Sequence, residues 1–221
     1  MAMRSFDITG GGGRSIPSEL TTRQDGPGHG VVMLPGLGYT CVMPAFYYLE
    51  AMALDQGAAV LSLAPGYGQD ERFAAFPLDH QQRDWLADDV RAGVAAMLGT
   101  HDVRNVTVIA KSLTTLGLSS VDWTAFAGGD RSVRLVWLTP LLRDSEVVER
   151  LAAIDVSSLI VIGTADHHFD QGTIDRLRER PAVTFEQIEG ADHSFGQRGD
   201  IDRSLANVGQ VVRAVRSFAF E

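Results

Sequence analysis

Short, fully apolar runs alternate along this chain with longer stretches in which apolar residues return every three or four positions. Val31-Val32-Met33-Leu34 is closed by Pro35-Gly36, and Ala59-Val60-Leu61-Ser62-Leu63 by Pro65-Gly66. Val106-Thr107-Val108-Ile109-Ala110 runs straight into Lys111-Ser112. Runs of this length without polar alternation predict strands covered on both faces. Val133 to Leu138, Leu159 to Ile162 and Val183 to Ile188 continue the series. Between them the spacing predicts a helix over 43–56, stopped by Gly57. Another runs from a cap at Asp79 to Gly99, with Leu86, Val90, Val94 and Met97 on its inner face. Helices are also predicted over 113–126, from a cap at Asp144 to Ile154, and over 171–179. A last helix carries Leu205, Val208, Val212 and Val215 on one face. Ahead of the series, 4–9 and 15–23 read as strands joined by the glycines at 10–13, and Asp25 to Gly30 as a turn.

This alternation predicts an α/β protein: a mainly parallel sheet with helices on both faces. There is no internal repeat and no linker, so the 221 residues read as a single domain, 1–221.

Composition narrows the function. Hydrophobic residues make up 45% and charged residues 21%, as in an ordinary globular protein. The net charge of -9 repels a phosphate backbone, and no Lys/Arg cluster offsets it, which argues against nucleic acid. No run approaches the roughly 20 apolar residues that span a bilayer. The first residues lack the apolar run of a secretory signal, and the lone Cys41 has no disulfide partner in the chain. A cytoplasmic protein without a membrane partner is expected.

The chemistry begins at Ser112, which stands between a buried strand and a helix. A Ser at such a sharp turn is presented at the carboxyl end of the sheet, and the residues two before and two after it must be small. They are Ala110 and Thr114, where the usual pattern has glycines. Lys111-Ser112 also looks like the end of a phosphate loop, but the glycines that loop needs are replaced by Ala110 and Asn105. A Ser hydroxyl needs a general base. Of six histidines, His193 alone has context: Gly190-Ala191-Asp192-His193-Ser194-Phe195 follows the last strand, at the same sheet edge. An acid must orient the base. Asp166, at the end of Gly163-Thr164-Ala165-Asp166, is the choice; Asp170 is the nearest rival, and Asp192 adjoins His193 itself. Oxyanion donors are expected from the backbone N–H of Leu113 and, in Pro35-Gly36-Leu37-Gly38-Tyr39-Thr40, that of Leu37.

The order Ser112, Asp166, His193, with these four segments, resembles the α/β-hydrolase superfamily from Val31 onward. It is most similar to small lid-less members, the dienelactone-hydrolase-like and Tex30/KANL3-like groups. The resemblance implies ester, thioester or related carbonyl hydrolysis through an acyl-enzyme, with no cofactor. Only Thr139 to Arg143 separates the fourth parallel strand from the next helix, so no lid domain fits. An open site for a small-molecule ester is expected, with Tyr39, Tyr67 and Leu141 as wall residues.

Other features have blander readings. Cys41 is a small packed side chain. The adjacent His167-His168 point apart and have no spaced third ligand, so no metal is expected. Tyr47-Tyr48 reads as helix packing and interface, leaving a homodimer as an expectation. Two other functions stay open: a non-catalytic binding or scaffold protein on this fold, and an acyltransferase or peroxidase variant.

Overall fold

The computed structural model describes residues 1–23, 28–74, 80–100 and 103–221. The expected cap at Asp79 and the turn residues 25–27 lie outside the described residues. The chain opens with β1 (Ala2–Thr9), β2 (Ser15–Thr22) and β3 (His29–Leu34), then α1 (Pro44–Asp55) and β4 (Ala59–Leu63). Next come α2 (Glu71–Ala74), α3 (His80–Leu98), β5 (Asn105–Lys111), α4 (Thr114–Ser119) and β6 (Ser132–Leu138). It closes with α5 (Ser145–Ala153), β7 (Ser158–Gly163), α6 (Gln171–Leu177), β8 (Val183–Ile188) and α7 (Ile201–Phe220).

The eight strands form one sheet in the order β1-β2-β4-β3-β5-β6-β7-β8. β1 and β2 join it antiparallel; from β4 to β8 every neighbouring pair is parallel. The apolar runs explain this. β3, β5, β6 and β7 are buried almost throughout, because helices cover both faces. Leu86 and Val90 of α3, Leu116 of α4, Leu151 of α5 and Ile174 of α6 pack on one face. Phe46 and Leu49 of α1 and Val208, Val211 and Val215 of α7 pack on the other. Parallel strands end at one edge, so the segments after β3, β5, β6, β7 and β8 all meet there.

Two elements differ from expectation. The helix predicted over 113–126 ends at Ser119, and a separate 3-10 turn covers Trp123–Ala125. The Ser119 and Ser120 hydroxyls donate to Leu116 O at 2.7 and 3.0 Å, offering the backbone an alternative to the helical ladder. Asp122 then accepts from Thr124 N and starts the new turn. In α7 the buried stripe runs Val208, Val211, Val215, Ala219, and Leu205 is 57% exposed. One step of α7 against α1 and the sheet decides which stripe is covered, and several apolar positions compete. Tyr47 and Tyr48, read as helix packing and interface, meet edge-to-face on the surface, 58% and 49% exposed.

Candidate active site

Ser112 sits directly after β5 with φ 53°, a left-handed backbone that a non-glycine residue adopts only when its surroundings hold it there. Its N–H is fixed on Leu138 O at 2.9 Å. Thr114, standing where a glycine is usual, is fully buried and tightens the turn. Its hydroxyl donates to Leu34 O at 2.9 Å and accepts from Lys111 N at 3.1 Å. Sequence reasoning saw this Thr as a departure; its role is a tie between β3 and the turn. Gly36 explains how the loop after β3 approaches: a Cβ there would lie 2.9 Å from Lys111 O and 3.2 Å from Ser112 Cβ.

The loop after β8 brings His193 over the end of β7. Gly163 permits it, since a Cβ at 163 would stand 2.0 Å from Ala191 O. His193 Nε2 lies 2.8 Å from Ser112 Oγ, and its Nδ1 lies 2.9 Å from Asp166 Oδ2. An ionised carboxylate only accepts, so Nδ1 carries the proton and Nε2 is free to accept from the hydroxyl. Asp166 is 4% exposed. Burial works against its charge, but bonds from His193 and from His168 N outweigh it and hold the carboxyl below its usual range. Asp170 is elsewhere: its carboxylate accepts from Thr173 N at 2.7 Å and caps α6. Asp192 is turned back on its own loop, accepting from Ser194 N and Gly196 N.

Pro35-Gly36-Leu37-Gly38-Tyr39 folds into a tight turn closed by Gly36 and Tyr39, which exchange backbone bonds at 3.2 and 3.4 Å. Leu37 and Gly38 form its tip, with Gly38 at φ 71°. Among the described residues, neither Leu37 N nor Leu113 N donates a hydrogen bond. Tyr39, expected on the wall, is buried instead, and its hydroxyl accepts from Ala45 N at 3.1 Å. Leu141 is half-buried against the core. Tyr67 lines a cavity of about 540 Å³ that opens behind the turn, with Gly36 and Gly38 on its near wall and Glu19 and Glu50 across it. Its hydroxyl is spent on Asp89, at 2.8 Å.

The Cys41 thiol is turned toward Met33 O and Leu63 O. Burial, and then Glu50, pushes its thiol up to about 12. His167 and His168 do not point apart: their ring centres are 4.1 Å from each other, and that of His167 is 4.8 Å from His193. Asp166, His167 and His193 converge, but Asp166 and His193 are already bonded to each other.

Sequence reasoning missed Lys111. Its side chain is fully buried, with Nζ donating to His193 O at 2.6 Å and Thr139 Oγ1 at 2.7 Å. The signal was an ionisable residue closing a run predicted to be covered on both faces.

This sheet order, with helices on both faces, is that of an α/β-hydrolase fold without a lid. Solved structures share this fold, among them the three that follow. A "predicted CIB-like hydrolase" from Thermoplasma acidophilum superposes with TM-score 0.69 at 17% identity, covering 98% of this chain and 99% of that one. An α/β serine hydrolase without lid from Xanthomonas campestris gives 0.68 at 15%, covering 100% and 97%. An esterase from Pyrococcus furiosus gives 0.66 at 14%, covering 99% and 93%. No protein-family profile and no curated protein matches the sequence. No helix among the described residues is long and apolar enough to cross a membrane.

Proposed function

We propose that this protein is a serine hydrolase that cleaves small carboxylic esters or thioesters through an acyl-enzyme on Ser112. The observation that carries the reading is the unbroken chain Ser112 Oγ–His193–Asp166, at 2.8 and 2.9 Å, on a left-handed serine. His193 Nε2 takes the hydroxyl proton as Oγ attacks the carbonyl carbon. The carbonyl oxygen becomes an oxyanion facing Leu37 N–H and Leu113 N–H. Collapse expels the alcohol or thiol, which leaves with the proton held on His193. Water then repeats the cycle and frees the acid. Asp166 stays ionised and stabilises the imidazolium. The relatives named above as esterase and hydrolases are consistent with this chemistry. A fluorophosphonate probe tests it: one label on Ser112 is expected, and an unlabelled, folded protein overturns the reading in favour of a scaffold.

The cavity behind the oxyanion turn would take the substrate's remote group. Among the described residues no basic side chain lines it, while Glu19 and Glu50 do. Burial and the Glu19 charge raise the Glu50 carboxyl, so the two already repel each other. An apolar group with a positive end suits this pocket. Choline esters are expected to exceed their neutral 3,3-dimethylbutyl isosteres about 5-fold in kcat/KM, the ~1 kcal/mol of partly exposed charge pairs. Glu50→Gln should remove most of that preference, measured by product release. Equal rates for the two esters would exclude this use of the cavity.

A further inference from the structure

Lys111 is the only lysine in the chain; the other 18 Lys/Arg positions are all arginine. It is also fully buried, one residue before the nucleophile. Burying a lone ammonium is unfavourable unless its donors are all used. Here they bridge two loops: Nζ donates to Thr139 Oγ1, just past β6, and to the main-chain carbonyl of His193, past β8. The charge lies 4.6 Å from the centre of the Tyr39 ring and 5.3 Å from that of Phe195, so aromatic faces complete its shell. A compact point charge fits this space; the wide guanidinium fork would not.

A second observation converges on the same place. Among the described residues three non-glycines have positive φ: Ser112 at 53°, Thr139 at 45° and Phe195 at 64°. All three adjoin Lys111. Ser112 follows it, Thr139 accepts its hydrogen bond, and Phe195 lies against its charge. Such backbone persists only where fixed contacts hold it.

We propose that Lys111 is a positioning residue: its ammonium ties the His193 loop to the strand that carries Ser112, setting the imidazole at proton-transfer distance. This rests on the hydrolase reading above. The charged and titratable groups facing it are Asp166 after β7, Asp192 and His193 after β8, and Tyr39 from the oxyanion turn. Asp166 and Asp192 favour the ammonium, yet burial outweighs them and draws Lys111 down to about 8 from 10.5. A charge-assisted bond is about twice as strong as a neutral one, so losing the proton slackens the tie. The rate therefore falls above about pH 8. Stability moves the other way. Between pH 8 and 10.5 the unfolded chain binds a proton the folded chain has released, so this group's contribution to stability rises with pH.

A single lysine makes the test direct. Protein labelled with 13C at lysine Cε gives one lysine side-chain resonance, whose titration is compared with the pH profile of kcat for an ester stable in base. Coincident midpoints near pH 8 are expected. Lys111→Met keeps the volume without the charge. It is expected to lower kcat roughly 10- to 100-fold, the loss of one charged hydrogen bond. KM should stay within about 2-fold, the alkaline fall should vanish, and the melting temperature should not drop, since an apolar isostere replaces a desolvated charge. A Met variant with unchanged kcat and pH profile overturns the proposal. So does one whose activity falls only in step with its melting temperature. If the variant does not fold, the wild-type comparison decides: a lysine titrating more than about one pH unit from the alkaline limb overturns it. Fluorophosphonate labelling of wild-type Ser112 separates this outcome from failure of the hydrolase reading itself.

Discussion

Ser112→Ala is expected to lower kcat/KM for a short nitrophenyl ester roughly ten-thousand- to million-fold, leaving the fold intact. The hydroxyl is the only group within hydrogen-bond reach of His193 Nε2 among the described residues, at 2.8 Å, so no neighbour substitutes for it. Cys41 cannot, with its thiol pushed up to about 12. Residues that act as a unit do not add, so His193→Ala, alone or combined with Ser112→Ala, should cost about as much. Asp166→Asn should cost about 10,000-fold, because an amide in place of the carboxylate favours the wrong imidazole tautomer. Asp170→Asn should leave kcat within about 2-fold, since that side chain only caps α6. Initial rates with each purified variant, beside circular dichroism, check the set. A Ser112→Ala protein with more than a hundredth of the activity would end the nucleophile assignment.

The largest effect on stability is expected far from the nucleophile, at Asp89→Ala. Asp89 lies on α3 and is fully buried. It accepts from Gly11 N at 2.8 Å and from the Tyr67 hydroxyl at 2.8 Å, and it forms a short ion pair with Arg14. Arg14 is itself 5% exposed, packs on the Tyr67 and Trp85 rings, and donates to Pro65 O at 3.1 Å. Removing the carboxylate leaves that buried guanidinium with only the longer contact to Asp70, at 3.7 Å, as counter-charge. The cost of such a break is ~3–5 kcal/mol, against a typical total of ~5–15 kcal/mol. A loss of roughly 6–20 °C in Tm follows for a chain of this size. Arg14→Met combined with Asp89→Leu should recover part of it: the buried guanidinium is gone, while Gly11 N and the Tyr67 hydroxyl still lack their acceptor. Urea unfolding of the wild type and these two variants measures this. A single Asp89→Ala loss below ~1 kcal/mol would show that water reaches the guanidinium. The network also ties the β1–β2 turn and the Pro65–Tyr67 segment to α3, so it shapes the cavity wall.

Much of the site can be read from residue order because strand ends are legible. A buried apolar run declares a parallel strand, and whatever follows it stands at one edge of the sheet. Ser112, Asp166 and His193 were located that way, without any contact known. Asp170 illustrates the limit: four residues from Asp166, it is equally acidic and equally near the edge, and only the α6 cap separates the two. Thr114 illustrates another, since a hydroxyl that ties Leu34 to the turn looks in sequence like a glycine gone wrong. Lys111 was visible only as a fragment of a phosphate loop that the neighbouring residues rule out.

What the chain determines alone is its periodicity: which stretches are strands, which are helices, and the order in which chemical groups leave the sheet. Periodicity is local, so it survives without the fold. Which stripe of α7 is covered, where α4 stops, that Tyr39 is buried, and that a solitary lysine spans two loops beside Ser112 and His193 were decided by packing. Those outcomes depend on groups distant in sequence competing for the same space, and that competition exists only once the sheet has formed.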